Sequence, residues 1–206
     1  MKLYDFPFSP NCRKVRATAY EVGAPLEYVP VNLLRGESRT PDFLRRNPNG
    51  LVPVLEDGDF VLWESVAIMR YLAAGTPLLP TARRVVADVD RWLAWQLAHL
   101  VPAMNKVGFE RVVKQARGMG PADEAVVQAG TTDFHASIAV LEETLAGREH
   151  VAGPLSVADF AIAGHLSFAP ACGLELGRYA AVGSWLARML ARDSMQRALD
   201  DAKALQ

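Results

Sequence analysis

Ser9 is the first residue whose position could support chemistry. It follows a short apolar segment, residues 2–6, and precedes Pro10 at the start of a predicted helix. A serine before proline at a helix start usually serves only as a cap, so taken alone it says little. Backbone N–H groups and the helix dipole nevertheless converge at such a position, and together they attract an anion. Ser9 is therefore a candidate anion-binding residue.

Two further candidates follow along the chain. Val52-Pro53 lies between an Asn-Pro-Asn-Gly turn and a predicted hairpin, where a proline is usually an ordinary turn or edge residue and only about 5% of X–Pro bonds are cis. Glu64-Ser65 begins a predicted helix, where both side chains could simply be capping groups. Each feature is weak by itself, so their order and the fold around them decide their meaning.

Cys12 raises a different possibility. Ser9 and Cys12 have the spacing of a redox CxxC motif whose first cysteine has become serine. A single thiol one turn into a helix is poorly placed as the primary nucleophile, so a packed residue is favoured. Cys172, the other cysteine, is distant in sequence, and neither belongs to a CxxC pair. No disulfide framework is predicted, and a reducing compartment is expected.

The first part of the chain predicts a mixed four-stranded sheet. The predicted strands are residues 2–6, 26–31, 52–55 and 59–62, and the predicted helices are 10–21 and 64–74. The first strand, helix and strand form a βαβ unit, which makes the two strands parallel. Asp57-Gly58 predicts a tight hairpin turn and therefore an antiparallel pair.

The rest of the chain predicts helices alone. Residues 75–80 break every periodic pattern, so the predicted division is a first domain at 1–75, a linker at 76–84 and an all-helical bundle domain at 85–206. The first of these helices carries an apolar stripe and is expected to kink at Pro102. Further helices are predicted at 122–146, 156–168 and 181–203, and Ser156 with Asp159 forms an S-x-x-D capping box.

Composition and the remaining motifs exclude several functions. With 22 basic and 23 acidic residues the formal charge is -1, which gives no electrostatic reason to expect nucleic acid or an anionic membrane as partner. The N-terminal residues lack the apolar run of a signal peptide, and no segment is apolar enough to span a membrane, so a cytoplasmic location is expected. The four histidines show no metal-binding spacing, and no GxSxG elbow or glycine-rich phosphate loop occurs.

The three candidates, in this order and on this scaffold, resemble the glutathione transferase family, and most closely its phi class and related bacterial members. The matching residues of the first half are Pro7-Phe8-Ser9, Arg13-Lys14-Val15, Gly36-Glu37, Phe43-Leu44, Asn47-Pro48, Gly50, Val52-Pro53, Glu56-Asp57-Gly58 and the run from Glu64-Ser65 to Leu72. Those of the second half are Pro102, Phe109-Glu110, Ala152-Gly153, Ser156 to Asp159 and Trp185. The resemblance covers nearly the whole chain and implies a thioredoxin-like first domain.

The resemblance also implies a role for each site residue. Ser9 would donate its hydroxyl to the glutathione sulfur and hold it as thiolate. Glu64 and Ser65 would bind the γ-glutamyl end, and a cis Pro53 would present the Val52 backbone to the cysteinyl unit. The glycine carboxylate would be bound by Arg39. Three residues depart from the family pattern: Leu51 replaces a frequent glutamine, Ser38 a frequent histidine and Asp193 a frequent proline.

The implied second substrate is a small apolar electrophile, bound between the domains. Its predicted lining residues are Phe8, Asn11 and Leu34 from the first domain and His99, Met104, Lys106 and Phe109 from the second. Glutathione is then a co-substrate, no metal is expected, and the family implies a homodimer. Thiol transfer or peroxide reduction is an alternative use of the same thiolate. A non-catalytic ligand carrier or scaffold is another, because fold alone does not fix function.

Overall fold

The computed structural model describes residues 1–203 and divides into two compact units. The first comprises Met1–Pro80 together with the described residues from Ala191 onward, and the second comprises Thr81–Leu190. The sequence-based division placed everything after residue 85 in one helical domain. It differs from the observed units because the last helix packs against the first helix of the chain, a contact that local sequence patterns do not encode.

The first unit is built on a mixed four-stranded sheet, as predicted. The strands are β1 (Lys2–Asp5), β2 (Glu27–Pro30), β3 (Val54–Asp57) and β4 (Phe60–Trp63). Their order is β2-β1-β3-β4, with β1 parallel to β2 and antiparallel to β3, and with β3 antiparallel to β4. Gly58 has a φ of 62° in the turn between β3 and β4, a conformation that glycine adopts without steric cost.

Most helix boundaries lie within a few residues of their predicted positions. In chain order the helices are α1 (Pro10–Val22), α2 (Pro41–Arg46), α3 (Ser65–Ala73), α4 (Arg83–Trp95), α5 (Val101–Gly108), α6 (Lys114–Arg117), α7 (Glu124–Leu145), α8 (Val157–Leu166), α9 (Ala180–Leu190) and α10 (Asp193–Lys203). The short helix α2 was not predicted, because its six residues are too few to establish a period.

The prediction of a single helix over 181–203 is wrong. The chain forms α9 and then α10, and Asp193 begins the second of them. Residues beside this break are bound by α1 of the first unit: Glu21 forms an ion pair with Arg192 and accepts a hydrogen bond of 2.6 Å from the Ser194 hydroxyl. These contacts attach α10 to α1 and account for its place in the first unit.

The second unit is helical throughout its described elements. The chain stays helical from α4 to α6 without a break. Within this stretch, two segments form π-helical turns in place of α-helical ones: Gln96–Leu100 and Phe109–Val113. The first of these turns ends two residues before Pro102, where the sequence predicts a kink. Proline has no N–H to donate within the helix, and a wider turn before it relieves the clash of its ring with the preceding turn. None of the helices within residues 1–203 combines the length and apolarity that crossing a membrane requires.

Candidate active site

Ser9 occupies the N-cap position of α1, with extended backbone angles of φ -72° and ψ 125°. Its N–H donates to the Phe6 carbonyl at 2.8 Å, and its own carbonyl accepts from the Arg13 N–H at 2.9 Å. Its hydroxyl makes no capping hydrogen bond to the helix. The plain capping role that is common for such a serine is therefore absent, and the hydroxyl lies at the positive end of the helix dipole.

Cys12 is fully buried and contributes to the core of the first unit with Val31, Phe43, Val52 and Val54. Burial raises the pKa of its thiol to about 12, although hydrogen bonds from the Phe6 N–H and from Ser9 oppose that rise. A thiol of this kind is protonated at neutral pH and closed to substrate. The prediction that Cys12 is a packed residue is confirmed.

The Val52-Pro53 bond is cis, as the family resemblance implied. It lies immediately before β3, and Val52 is buried while its neighbour Leu51 is 57% exposed. The side-chain amide of Asn47 donates to the Leu51 carbonyl at 2.7 Å and so ties the segment to the preceding turn. This hydrogen bond fixes the main chain of Val52 just before the start of β3.

Glu64 is the only non-glycine residue with a positive φ among residues 1–203, at φ 74° and ψ 110°. Such a conformation costs about 1–3 kcal/mol and is found preferentially at functional sites. Glu64 is exposed and precedes α3 without making a side-chain capping bond. The Glu64 carboxylate therefore does not cap α3.

Ser65 connects the N-termini of α1 and α3. It is 6% exposed, and its hydroxyl donates to the side-chain carbonyl of Asn11 at 3.2 Å. Asn11 comes two residues after Ser9, so this bond joins the two predicted ends of the site. Asn11 makes this contact with Ser65, and its predicted place beside the electrophile stays a prediction.

Arg39 is exposed and lies against the turn that leads to Val52. Its guanidinium donates to the Asn49 carbonyl at 3.0 Å. Gly50 has a φ of 61°, and a Cβ atom there would come within 2.7 Å of the Arg39 Nη1 atom. Glycine is therefore favoured at position 50 by its backbone conformation, and the end of the flexible Arg39 side chain lies close to it.

The remaining predicted residues are distributed over both units. In the first, Phe8 is half-buried against Phe6, with ring centroids 5.3 Å apart, and Leu34 is 60% exposed. In the second, His99 and Phe109 are exposed, Met104 is buried, and Lys106 donates to Asp133 at 2.7 Å. Their role as an electrophile pocket stays a prediction.

The sequence-based site missed the burial of Lys14, which entered only as part of a matching motif. Its side chain is fully buried, and its Nζ atom has no hydrogen-bond partner within residues 1–203. Burial lowers the pKa of this amine to about 7, while the negative charge of Glu64 opposes the shift. The sequence carries no signal for this burial, since residues 12–19 include Arg13, Lys14 and Arg16 and are shown to be buried only by the structure.

The structure brings together Ser9, Asn11, Ser65, Glu64 and the buried Lys14 through α1 and the start of α3. No group of histidine, cysteine, aspartate and glutamate side chains that could hold a metal ion occurs in residues 1–203. The arrangement offers hydroxyl donors, a helix N-terminus and an oriented carboxylate. It is suited to binding a zwitterionic ligand that carries an anionic atom near Ser9.

Comparisons with known proteins agree with this geometry. Residues 1–74 match the family model described as the glutathione S-transferase N-terminal domain. The chain is 35% identical to a probable glutathione S-transferase GSTF2 of Oryza sativa subsp. japonica, an alignment that spans 96% of this chain and 94% of the relative.

Solved structures extend the agreement to the whole fold. A possible glutathione S-transferase from Rhodopseudomonas palustris is 36% identical with a TM-score of 0.86, covering 94% of this chain and 87% of the other. Glutathione S-transferase I from maize, in complex with an atrazine glutathione conjugate, is 31% identical with a TM-score of 0.87, covering 98% and 97%. On this similarity over nearly its full length, the chain belongs to the glutathione S-transferase family and is a phi-like glutathione transferase.

Proposed function

We propose that this glutathione transferase activates its co-substrate through the Ser9 hydroxyl, which donates a hydrogen bond to the glutathione sulfur and holds it as a thiolate. The observation that supports this most directly is the position of that hydroxyl. It lies at the N-terminus of α1 and is not used to cap the helix. A donor aimed at developing negative charge lowers the cost of ionising the thiol, as an oxyanion hole does for an alkoxide.

The energy required is within reach of these groups. Lowering a thiol pKa from about 8.5 to about 6.5 requires about 2.7 kcal/mol of preference for the anion. A hydrogen bond to a charged group contributes about 1.5–3 kcal/mol, and a helix N-terminus about 0.3–2 kcal/mol. The sum suffices without a general base, and Ser9 itself stays protonated.

The other proposed glutathione contacts are those that the family resemblance implies for residues of the first unit. Glu64 would accept from the γ-glutamyl ammonium, and Ser65 would donate to the neighbouring carboxylate. Val52 would pair its main chain with the cysteinyl unit, and Arg39 would attract the glycine carboxylate. Leu51 has no polar group to add, so we expect weaker binding than in relatives with glutamine there.

The proposed second substrate is a small apolar electrophile. For an aryl halide, the thiolate sulfur forms a bond to the ring carbon, the halide leaves with its bonding electron pair, and the thiol proton passes to solvent. The maize enzyme bound to an atrazine glutathione conjugate supports this class of substrate. The enzyme would contribute proximity once the thiolate has formed. Phe8 and Phe109 are the apolar residues expected to contact the ring.

Two alternative functions receive less support. Thiol transfer through a protein cysteine would need a reactive thiol, whereas burial raises the pKa of Cys12 to about 12. Thiol transfer or peroxide reduction by the glutathione thiolate itself needs the same Ser9 hydroxyl and is kept as an alternative use of it. A non-catalytic carrier would have no need of a Ser9 hydroxyl that makes no capping bond, or of a Glu64 backbone held at a positive φ. Both features favour the transferase.

Replacing Glu64 tests the binding part of the proposal. Glu64→Gln keeps the size of the side chain and removes the charge, so the dissociation constant of glutathione should rise about 10- to 100-fold, the value of one charge-assisted hydrogen bond. Isothermal titration calorimetry measures it, with conjugation of chlorodinitrobenzene as the activity assay. Glu27→Gln, an exposed change on β2, is the matched control and should leave both unchanged. Equal affinity in the wild type and in Glu64→Gln would contradict the proposal.

A homodimer in the cytoplasm is also part of the proposal. Phe60 and Tyr71 leave 47% and 40% of their surface exposed and lie with ring centroids 5.6 Å apart, an apolar area suited to a second copy. Light scattering should give twice the chain mass of 22.5 kDa. Replacing Phe60 and Tyr71 by serine should shift the species toward monomer. A wild-type mass that stays at one chain over all concentrations would overturn the dimer.

A further inference from the structure

The first turns of α1 and α3 are joined by one side-chain hydrogen bond. Asn11 is the second residue of α1 and Ser65 the first residue of α3, and the Ser65 hydroxyl donates to the Asn11 Oδ1 atom at 3.2 Å. Ser65 is 6% exposed, whereas Asn11 is half-buried. The glutathione contacts proposed above use Ser9 and Ser65, and they leave the Asn11 amide without a part in binding.

This bond holds two positive helix ends beside each other. Helix α1 packs against α3, and the side chains at their N-caps, Ser9 and Glu64, make no hydrogen bond to the first turn. The positive end of a helix dipole attracts an anion and repels another positive end. A bond between the two first turns opposes that repulsion, and an anion bound next to them is stabilised by both helices.

The Ser65 hydroxyl has a single proton, and in the structure that proton points at Asn11. A hydroxyl donates one hydrogen bond and accepts up to two, so Ser65 can donate to a carboxylate of glutathione only after its proton leaves the Asn11 Oδ1 atom. The Asn11 amide carries an NH2 donor beside its acceptor oxygen. Once the amide turns, its Nδ2 atom donates to the Ser65 oxygen while Ser65 donates to the carboxylate.

An amide at position 11 can form both arrangements. Alanine forms neither, because it has no polar group. Aspartate is an acceptor only when ionised, so it retains the Ser65 proton, and its charge repels an anionic ligand. In the second arrangement the bonds run in one direction from amide to hydroxyl to carboxylate, and such a chain strengthens each of its members.

We propose that Asn11 is a positioning residue of the glutathione site, whose amide holds Ser65 and turns its hydroxyl proton toward the α-carboxylate of the γ-glutamyl unit. The inference rests on the proposed function, because it assigns Ser65 the same ligand. It adds a residue that acts on this carboxylate through Ser65. The effect of Asn11 should therefore appear in affinity for the γ-glutamyl unit and should vanish when the Ser65 hydroxyl is absent.

Affinity for S-methylglutathione measures this effect separately from thiol activation. The probe keeps the γ-glutamyl unit and has no thiol to ionise, so the donor role of Ser9 does not enter. Asn11→Ala should raise its dissociation constant about five- to tenfold, the effect of losing one hydrogen bond. Asn11→Asp should raise it about 50-fold, because aspartate both retains the Ser65 proton and repels the ligand. Isothermal titration calorimetry gives these constants.

A double-mutant cycle locates the effect at Ser65. In the Ser65→Ala background, Asn11→Ala should change the dissociation constant of S-methylglutathione less than about twofold. Asn11→Asp should change it less than about tenfold there, because only the repulsion by its charge is left. Thr18→Val is the matched control on α1, since Thr18 is fully buried and its hydroxyl donates one hydrogen bond of 2.9 Å. This variant should bind the probe as the wild type does.

A purely structural role for Asn11 would give the opposite order of variants. Aspartate has nearly the shape of asparagine, retains the acceptor for Ser65, and is favoured in the first turn of a helix. Asn11→Asp should therefore melt no lower than the wild type, which excludes unfolding as the cause of its weak binding. If Asn11→Asp bound S-methylglutathione more tightly than Asn11→Ala, the positioning role would be rejected. Equal losses from Asn11→Ala in both backgrounds would reject it as well.

The outcomes separate this inference from the proposed function. If the wild type binds neither glutathione nor S-methylglutathione, the proposed function fails. If Ser65→Ala binds as tightly as the wild type, the proposed contact of Ser65 fails, and the positioning role fails with it. If Ser65→Ala binds weakly while Asn11→Ala binds like the wild type, the proposed function stands and only the positioning role of Asn11 is rejected.

Discussion

Ser9→Ala is expected to reduce kcat/KM for conjugation about 100- to 1000-fold, the loss that follows removal of one donor to a developing anion. The alanine should leave the fold intact, because the Ser9 hydroxyl makes no capping bond, its main chain supports α1, and its bond to the buried Cys12 thiol is a weak one to sulfur. Glutathione should still bind through its γ-glutamyl and glycine ends. The defect should therefore lie in ionisation of the bound thiol.

A spectroscopic titration locates that defect. The absorbance of bound thiolate, followed against pH by ultraviolet difference, should appear in the wild type well below the pKa of a free thiol. In Ser9→Ala the transition should move up by one to two units, an expected shift of about 1.5–3 kcal/mol. Ser9→Thr retains a hydroxyl and should preserve much of the ionisation. If Ser9→Ala ionised glutathione as readily as the wild type, Ser9 would not be the activating donor.

Much of the first unit was predictable because its signals are local. Alternating apolar residues, the Asp57-Gly58 turn and the Pro10 helix start each define an element through short-range sterics. The parallel pairing of β1 with β2 then followed from the βαβ connection, whereas the order of the four strands came from the structure. Boundaries moved by one or two residues, as for β3 at Val54–Asp57, because ladder pairing rather than composition decides where a strand begins.

Contacts between distant residues were not predictable in the same way. The last helix packs on α1 through pairs such as Glu21 with Arg192 and Arg16 with Asp201. In the sequence these are ordinary charges in amphipathic segments, and nothing distinguishes them from solvated surface residues. The assignment of α10 to the helical domain was therefore a reasonable expectation from periodicity that tertiary packing overturned.

The candidate site shows the same division between local and distant signals. Ser9, Pro53 and Glu64 stand at helix starts or turns that are readable from the sequence, and the family resemblance is what makes them predicted site residues. The positive φ of Glu64 and the burial of Lys14 were not readable, since both depend on how α1 and α3 pack. A lysine in a helix is usually solvated, so the burial of Lys14 has no signal in the sequence.

Asp159→Ala is expected to cause the largest loss of stability of any single substitution considered for this enzyme. The side chain is fully buried and accepts four hydrogen bonds: from the Val151 N–H at 3.0 Å, from the N–H and hydroxyl of Ser156 at 3.0 and 3.2 Å, and from the indole of Trp185 at 3.2 Å. The predicted capping box at the start of α8 is confirmed, and the carboxylate also joins α8 to α9 and to the preceding loop.

Replacing Asp159 by alanine leaves several buried hydrogen-bond donors without an acceptor. Each buried donor left unsatisfied costs about 1–3 kcal/mol, and partial relaxation reduces the sum, so the expected loss is about 3–5 kcal/mol. Asp159→Asn keeps one acceptor oxygen and should lose less. Burial raises the pKa of the Asp159 carboxyl while its hydrogen bonds lower it, so the four donors are what make the charged form tolerable.

Urea unfolding followed by far-ultraviolet circular dichroism measures the loss. Asp133→Asn is the matched control, because Asp133 pairs with Lys106 on the surface of the same unit, where an ion pair contributes about 0–1 kcal/mol. A loss below about 1 kcal/mol in Asp159→Ala would mean that the freed donors find other partners. The expected contrast between the two aspartates follows from their burial. The partners of an exposed carboxylate bond to water when it is removed, whereas the partners of a buried carboxylate have no water to bond to.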